Sequence, residues 1–243
     1  MIRTERRGRV ELITLDRPER RNALDHATIL ELLGALDRVA VEAPGEVRAV
    51  VLTGAPPAFC AGADLTGVEE GRFSADLAAL LRGLGHLPVP VIAAIDGPAL
   101  GAGTQLAVAC DLRVATPDSV LGIPAAKLGL AVDLWTIRRL ADEVSPPIAR
   151  AMLVAAETRT AADLHGTGGV HRLGDLDDAL AWAERLTDLA PITMAAHKRG
   201  LEADDEAGET EFEALRASAW SSDDAREGRE AFLAKRRPTF TGR

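Results

Sequence analysis

Two short segments rich in glycine and alanine concentrate the positions where a ligand could approach the backbone. They are Gly54-Ala55-Pro56-Pro57-Ala58-Phe59-Cys60-Ala61-Gly62-Ala63-Asp64-Leu65 and Asp96-Gly97-Pro98-Ala99-Leu100-Gly101-Ala102-Gly103. Each follows an apolar stretch that reads as a strand, and the second runs straight into an apolar helix from Thr104 to Cys110. Free N–H groups at a helix start, reinforced by the helix dipole, favour negative charge, so these loops suit an oxyanion or a phosphate. The same glycines also suit tight packing turns, and on these segments alone both readings stand.

Other chemistries lack the spacing they need. Gly101-Ala102-Gly103 is followed by Thr104, Gln105 and Leu106, so there is no dinucleotide fingerprint. Walker A, H-E-x-x-H, paired C-x-x-C and G-x-S-x-G patterns are also missing. His26, His86, His165, His171 and His197 lie apart in the chain and read as structural or exposed side chains. Cys60 and Cys110 have no metal-type spacing; they read as packed thiols of a reduced, cytoplasmic protein, and no metal is expected.

The 243 residues carry 37 acidic against 28 basic side chains, a net charge of -9 whose field repels polyanions, so nucleic acid is not an expected partner. The start, Met1 to Arg7, is charged rather than apolar and does not read as a secretory signal. The long apolar run from Val89 to Cys110 is interrupted by Pro90, Asp96, Pro98 and glycines, so no transmembrane span is expected there. It reads instead as a buried strand, a tight loop and a buried helix.

The elements that must hold the two loops follow from periodicity. Val10 to Leu15, Val47 to Thr53 and Val91 to Ile95 read as strands. Between them, Ile29, Leu32, Leu33, Leu36 and Val39 mark one helix face, and Leu77, Leu80, Leu81 and Leu84 mark another behind a cap at Ser74. Strands alternating with helices imply an α/β fold with a partly parallel sheet. After Val120 the pattern becomes mostly helical, near 134–140, 146–155, 176–189, 194–203 and from 209 onward; the acidic stretch between Glu202 and Glu213 reads as a solvated face or loop.

Here the motifs become specific. Leu15-Asp16-Arg17-Pro18-Glu19-Arg20-Arg21-Asn22-Ala23-Leu24, then Phe59-Cys60-Ala61-Gly62-Ala63-Asp64-Leu65, then Val91 to Gly103 and Cys110-Asp111-Leu112-Arg113-Val114-Ala115, resemble successive signatures of the crotonase (enoyl-CoA hydratase/isomerase) superfamily. The tail, Asp224-Ala225-Arg226-Glu227-Gly228 with Phe232 to Phe240, is similar as well. The resemblance implies a crotonase-like spiral of ββα units over residues 1–185, and a helical trimerisation region over 186–243. It implies a homotrimer or dimer of trimers. Its ligand would be a coenzyme A thioester, with no resident cofactor, and the thioester oxygen would lie between the backbone N–H groups of Ala63 and Ala102. Position 102 is usually glycine in the family, so Ala102 is a departure that adds one methyl.

Hydratases of the family supply a base and an acid from two glutamates; by motif position these are Gln105 and Ala125 here. Neither an amide nor a methyl can take up a proton near neutral pH. The chain resembles a mycobacterial branch that shares G-A-G-x-Q and G-L-A-x-D and lacks both glutamates. Asp133 matches the aspartate that dienoyl-CoA isomerases use as a base, with Leu130 and Trp135 as apolar neighbours. It also stands immediately before a helical pattern, where it would serve as an N-cap. By resemblance Arg20, Arg21, Ala61, Gly62, Asp64, Leu65, Gly101, Gln105 and Lys235 or Arg236 line the path of the ligand. The expectation is an acyl-CoA-binding protein of lipid metabolism without hydratase activity; the alternative is an isomerase using Asp133.

Overall fold

The computed structural model describes residues 1–66 and 70–243. Its main sheet has six strands in the order β1-β2-β3-β4-β6-β9: β1 Ile2–Arg7, β2 Val10–Leu15, β3 Ala49–Gly54, β4 Val91–Ile95, β6 Leu112–Ala115 and β9 Arg172–Leu173. β1 and β2 are antiparallel, and every later neighbour in this sheet is parallel. A second sheet joins β5 Pro98–Leu100, β7 Val120–Gly122 and β8 Arg159–Thr160.

Parallel strands need crossovers, and three helices supply the first ones: α1 His26–Glu42, α2 Glu70–His86 and α3 Ala102–Ala109. Alternation along β3 sorts its side chains onto two faces. Val50 and Leu52 join the core beneath α1, α2 and α3, whereas Ala49 and Val51 join a smaller core beneath α7 Leu176–Leu186, against Ala179 and Ala183. Both faces of the sheet are therefore covered at its centre, which is why β3 and β4 are apolar runs rather than alternating ones.

The remaining helices are α4 Leu134–Val144, α5 Pro146–Val154, α6 Ala161–His165, α8 Pro191–Glu202, α9 Glu206–Ser221 and α10 Asp223–Leu233. The stretch from 209 onward is thus two helices, split where the Ser222 hydroxyl accepts the Ala225 N–H at 3.0 Å. The expected division at 185/186 falls at the last residue of α7. One expectation needs correction: Ser74 is not a cap, because α2 already runs from Glu70. Phe73 packs on the main core and extends the apolar stripe a turn earlier than the leucines alone suggest. Among the described residues no helix is long and apolar enough to cross a membrane.

Candidate functional site

The two glycine- and alanine-rich loops lie side by side. Cys60 bridges Ala99 in parallel: its N–H donates to Pro98 O at 3.1 Å, and Leu100 N–H donates to Cys60 O at 2.9 Å. On the far side of the first loop, Leu24 bridges Ala63, with Leu24 N–H on Gly62 O at 2.8 Å and Asp64 N–H on Leu24 O at 2.7 Å. Leu24 therefore bonds the residues flanking Ala63, and alternation turns the Ala63 N–H the other way, towards the second loop. Ala102 is the first residue of α3, where backbone N–H groups have no partner within the helix. Among the described residues neither the Ala63 nor the Ala102 N–H meets an acceptor. A Cβ built on Gly101 would stand 3.8 Å from Gly62 Cα, so the two donors flank one narrow cleft.

Several bonds hold this junction still. Asn22, buried at φ +58°, donates from Nδ2 to Ala55 O and Ala58 O, both at 2.7 Å, and its Oδ1 accepts the Arg17 N–H at 2.9 Å. Thr104 Oγ1 donates to Ala99 O at 2.6 Å or Gly122 O at 2.9 Å and accepts the Gly122 N–H at 2.9 Å, riveting the start of α3 to β5 and β7 of the small sheet. Gly101 turns the chain into the helix at φ 53°, ψ -117°, a region essentially reserved for glycine. Gly103 is required by contact: a Cβ there would lie 2.1 Å from Cys60 O. Asp64 is held in a largely covered ion pair with Arg17 at 3.2 Å, and the Thr66 N–H followed by Arg17 keeps its carboxyl below the usual carboxylate range.

Helix α3 packs against α4, and the short helix Pro124–Leu128 lies between β7 and α4 in the chain. Gln105 is buried, and its Nε2 donates to Thr136 Oγ1 at 2.8 Å. Thr136, fully buried, donates its backbone N–H to Asp133 Oδ1 at 2.7 Å. Asp133 thus caps α4, as its place before a helical pattern predicts. The carboxylate itself is exposed, so the apolar enclosure expected of Leu130 and Trp135 is not supplied by this chain: Leu130 is 46% exposed and Trp135 packs inward on the core. Ala125 also packs on the core, within the short helix.

The pairing of α3 with α4 is held by buried charge. Arg113, with no exposure, donates to Gly169 O at 2.7 Å, Ala107 O at 3.1 Å and Cys110 O at 3.0 Å, and pairs with Glu143 of α4. Arg139 of α4 donates to Val108 O at 2.8 Å and pairs with Glu202 at 2.6 Å. These bonds set the α4 register that brings Thr136 against Gln105.

The expected cationic contacts are dispersed. Arg20 and Arg21 are exposed in the turn after β2, Arg21 at φ +50°, and among the described residues neither forms an ion pair. Lys235 is exposed beyond α10, whereas Arg236 is committed to Glu227 at 2.6 Å; that pairing, with the Thr239 N–H, lowers the Glu227 carboxyl to about 2. Leu65 is 54% exposed and Ala61 half-buried on the first loop. An open groove of about 870 Å³ lies elsewhere, between α8, α9 and α10, with Phe212, Trp220, Phe232 and Phe240 among its walls.

Sequence reading had not singled out Asn22, Thr104, Arg17 or Thr136. Thr136 had a signal: it stands three residues after Asp133, where an N-capped backbone N–H belongs. Its tie to Gln105 spans 31 residues and has no local signature.

The chain is similar to known proteins over nearly its whole length. Residues 5–243 match the family model described as enoyl-CoA hydratase/isomerase. The chain is 46% identical over 237 residues to the probable enoyl-CoA hydratase echA6 of Mycobacterium tuberculosis, covering 95% of each. It is 34% identical over 250 residues to the 2,3-dehydroadipyl-CoA hydratase of Escherichia coli, covering 98% of this chain and 97% of that one. The crystal structure of an enoyl-CoA hydratase from Bacillus anthracis superposes with a TM-score of 0.89 at 29% identity, over 100% of this chain and 99% of the other.

Proposed function

The chain belongs to the enoyl-CoA hydratase/isomerase family, and on that premise we propose that it binds acyl-CoA thioesters in lipid metabolism without hydrating enoyl-CoA. What supports this reading is a contrast: the Ala63 and Ala102 backbone N–H groups meet no acceptor among the described residues, whereas an amide at Gln105 and a methyl at Ala125 stand at the motif positions of the family's acid and base. The N–H pair would grip the thioester oxygen, which carries partial negative charge already in the ground state and more in any enolate. Hydration further needs one group to take a proton from water and another to protonate the α-carbon. Gln105 is bonded to Thr136 through an amide that neither takes up nor releases a proton near neutral pH, and the Ala125 methyl cannot do so either. Asp133 is engaged through Oδ1 as the cap of α4, which weighs against the isomerase alternative.

Arg20, Arg21 and Lys235, all exposed, are proposed to reach the coenzyme A phosphates. The trimer or dimer of trimers implied by the family would cover Trp220, Phe232 and Leu233, which are 71%, 82% and 81% exposed in the single chain. The protein is proposed to act in the cytoplasm. Calorimetry with long-chain acyl-CoA and a crotonyl-CoA hydration assay on the same preparation test the reading. Saturable binding with no turnover supports it; no heat with any chain length, or turnover at ordinary enzyme rates, overturns it.

A further inference from the structure

Arg17 joins the two segments that frame the Ala63 N–H. Its Nη1 donates to Ala23 O at 2.7 Å and pairs with Asp25 Oδ2 at 3.0 Å, while Nη2 pairs with Asp64 Oδ2 at 3.2 Å. Its backbone belongs to the same turn: Arg17 N–H donates to Asn22 Oδ1 at 2.9 Å, and Arg17 O accepts the Asn22 N–H at 2.9 Å. The Arg17 side chain is 14% exposed and that of Asp64 12%, so salt and water screen this contact far less than a surface pair. Asp25 is the N-cap of α1, accepting the Thr28 N–H at 2.8 Å, and thereby anchors the guanidinium to a long helix.

What this fork spans is short and specific. Leu24, the residue bridged to Ala63, lies between Ala23 and Asp25, and Asp64 directly follows Ala63. One guanidinium therefore holds both neighbours of Leu24 together with the residue after Ala63. Without it, the segments are tied here by three backbone bonds: Ala61 N–H on Arg21 O at 3.0 Å, Leu24 N–H on Gly62 O at 2.8 Å and Asp64 N–H on Leu24 O at 2.7 Å. So short a ladder leaves the orientation of the peptide before Ala63 loosely set, and an oxygen held between two fixed donors is sensitive to where each of them points. We propose that Arg17 is a positioning residue: by clamping Ala23, Asp25 and Asp64 it aims the Ala63 N–H at the thioester oxygen. An ion pair that only stabilised the fold would leave the hold on that oxygen unchanged, and this difference can be measured.

This inference rests on the acyl-CoA-binding reading, and one pair of ligands separates the two. Dodecanoyl-CoA carries the thioester oxygen; S-dodecyl-CoA, its thioether, has the same chain and nucleotide without it. Isothermal titration of the natural protein should show the thioester binding about tenfold tighter, as two modest hydrogen bonds allow. Arg17→Met should reduce that ratio to about threefold, one donor of the two having lost its aim, while the thioether affinity stays the same. Asp64→Asn should act in the same direction, because its single oxygen cannot serve both the Thr66 N–H and Arg17. Hexa-2,4-dienoyl-CoA adds an optical readout: its ultraviolet band moves to longer wavelength when the carbonyl oxygen is polarised, and the shift on binding should shrink in both variants. An unchanged ratio and band shift in folded Arg17→Met overturn the proposal. Equal binding of thioester and thioether by the natural protein also overturns it, and leaves binding of the nucleotide and chain intact. If neither ligand binds the natural protein, the acyl-CoA reading falls as well. Should Arg17→Met not fold, Asp64→Asn decides.

Discussion

Two sets of residues differ in what their chemistry is made of. In one, Ala63 and Ala102 offer backbone N–H groups set by parallel bridges, by the Gly101 turn and by the Asn22 and Thr104 bonds. In the other, Gln105, Ala125 and Asp133 offer only what their side chains carry. Substitution can erase the second kind of chemistry without touching the first, because a backbone donor persists whatever its own side chain. A fold can in this way keep the grip on a thioester while losing the means to add water to it.

The harshest way to break this comparison is to attack the backbone side. Gly103→Ala puts a methyl 2.1 Å from Cys60 O, and neither backbone can yield without separating the two loops. We expect a loss of several kcal/mol, with little folded protein in thermal melts and no acyl-CoA binding. A melt like that of the natural protein would mean that the junction is not rigid.

The side-chain set should be open to repair. Gln105→Glu with Ala125→Glu restores two carboxyls, each of which as an acid or base contributes typically about 100-fold or more. The double variant is expected to hydrate crotonyl-CoA measurably, where the natural protein is expected to show no turnover, and each single variant to gain far less. Hydration by the unmodified chain would show that some other group does this work.

Ligand linkage gives a smaller and reversible effect. Acyl-CoA at 100 times its dissociation constant should stabilise the folded state by about 2.7 kcal/mol, read as a rise in melting temperature. The rise should survive in the repaired variant when a saturated ligand is used, since the backbone donors are common to both.

Asp133 gives the smallest effect and the sharpest division of roles. Asp133→Ala removes the acceptor for the Thr136 N–H and should cost about 1 kcal/mol, whereas Asp133→Asn keeps an oxygen and should cost only a few tenths. Acyl-CoA affinity should stay nearly unchanged in the Asn variant. Isomerisation of a 3-enoyl- or 3,5-dienoyl-CoA by the natural protein that vanishes with Asp133→Asn would make this aspartate a base and not only a cap.

How much of this could be read in advance depended on whether the cause was local. Helix α1 was legible because Ile29, Leu32, Leu36 and Val39 repeat at helical spacing, and all four are buried. The cap at Asp133 was legible for the same reason, since an N-cap acts within three residues. β1 was not: Ile2-Arg3-Thr4-Glu5-Arg6-Arg7 is almost wholly exposed, and it is a strand because β2 pairs with it residue by residue. Nor was β5, which read as a loop through Pro98, Ala99 and Leu100 until β7, some twenty residues on, supplied its partner.

The sequence by itself determined which residues stand at the family's motif positions and which carboxylates are absent from them, since identity at a motif position is a property of the chain alone. Tertiary structure decided what those residues do. Gln105 became a fixed amide only because the buried Arg113–Glu143 pair and the Arg139 bond to Val108 O set α4 against α3 and brought Thr136 to it. Asp133 became an exposed cap, and not an enclosed carboxylate, because Trp135 turned to the core and Leu130 to solvent. Periodicity and capping act over a few residues and leave a pattern in the chain; a hydrogen bond across 31 residues leaves none, and only packing selects it.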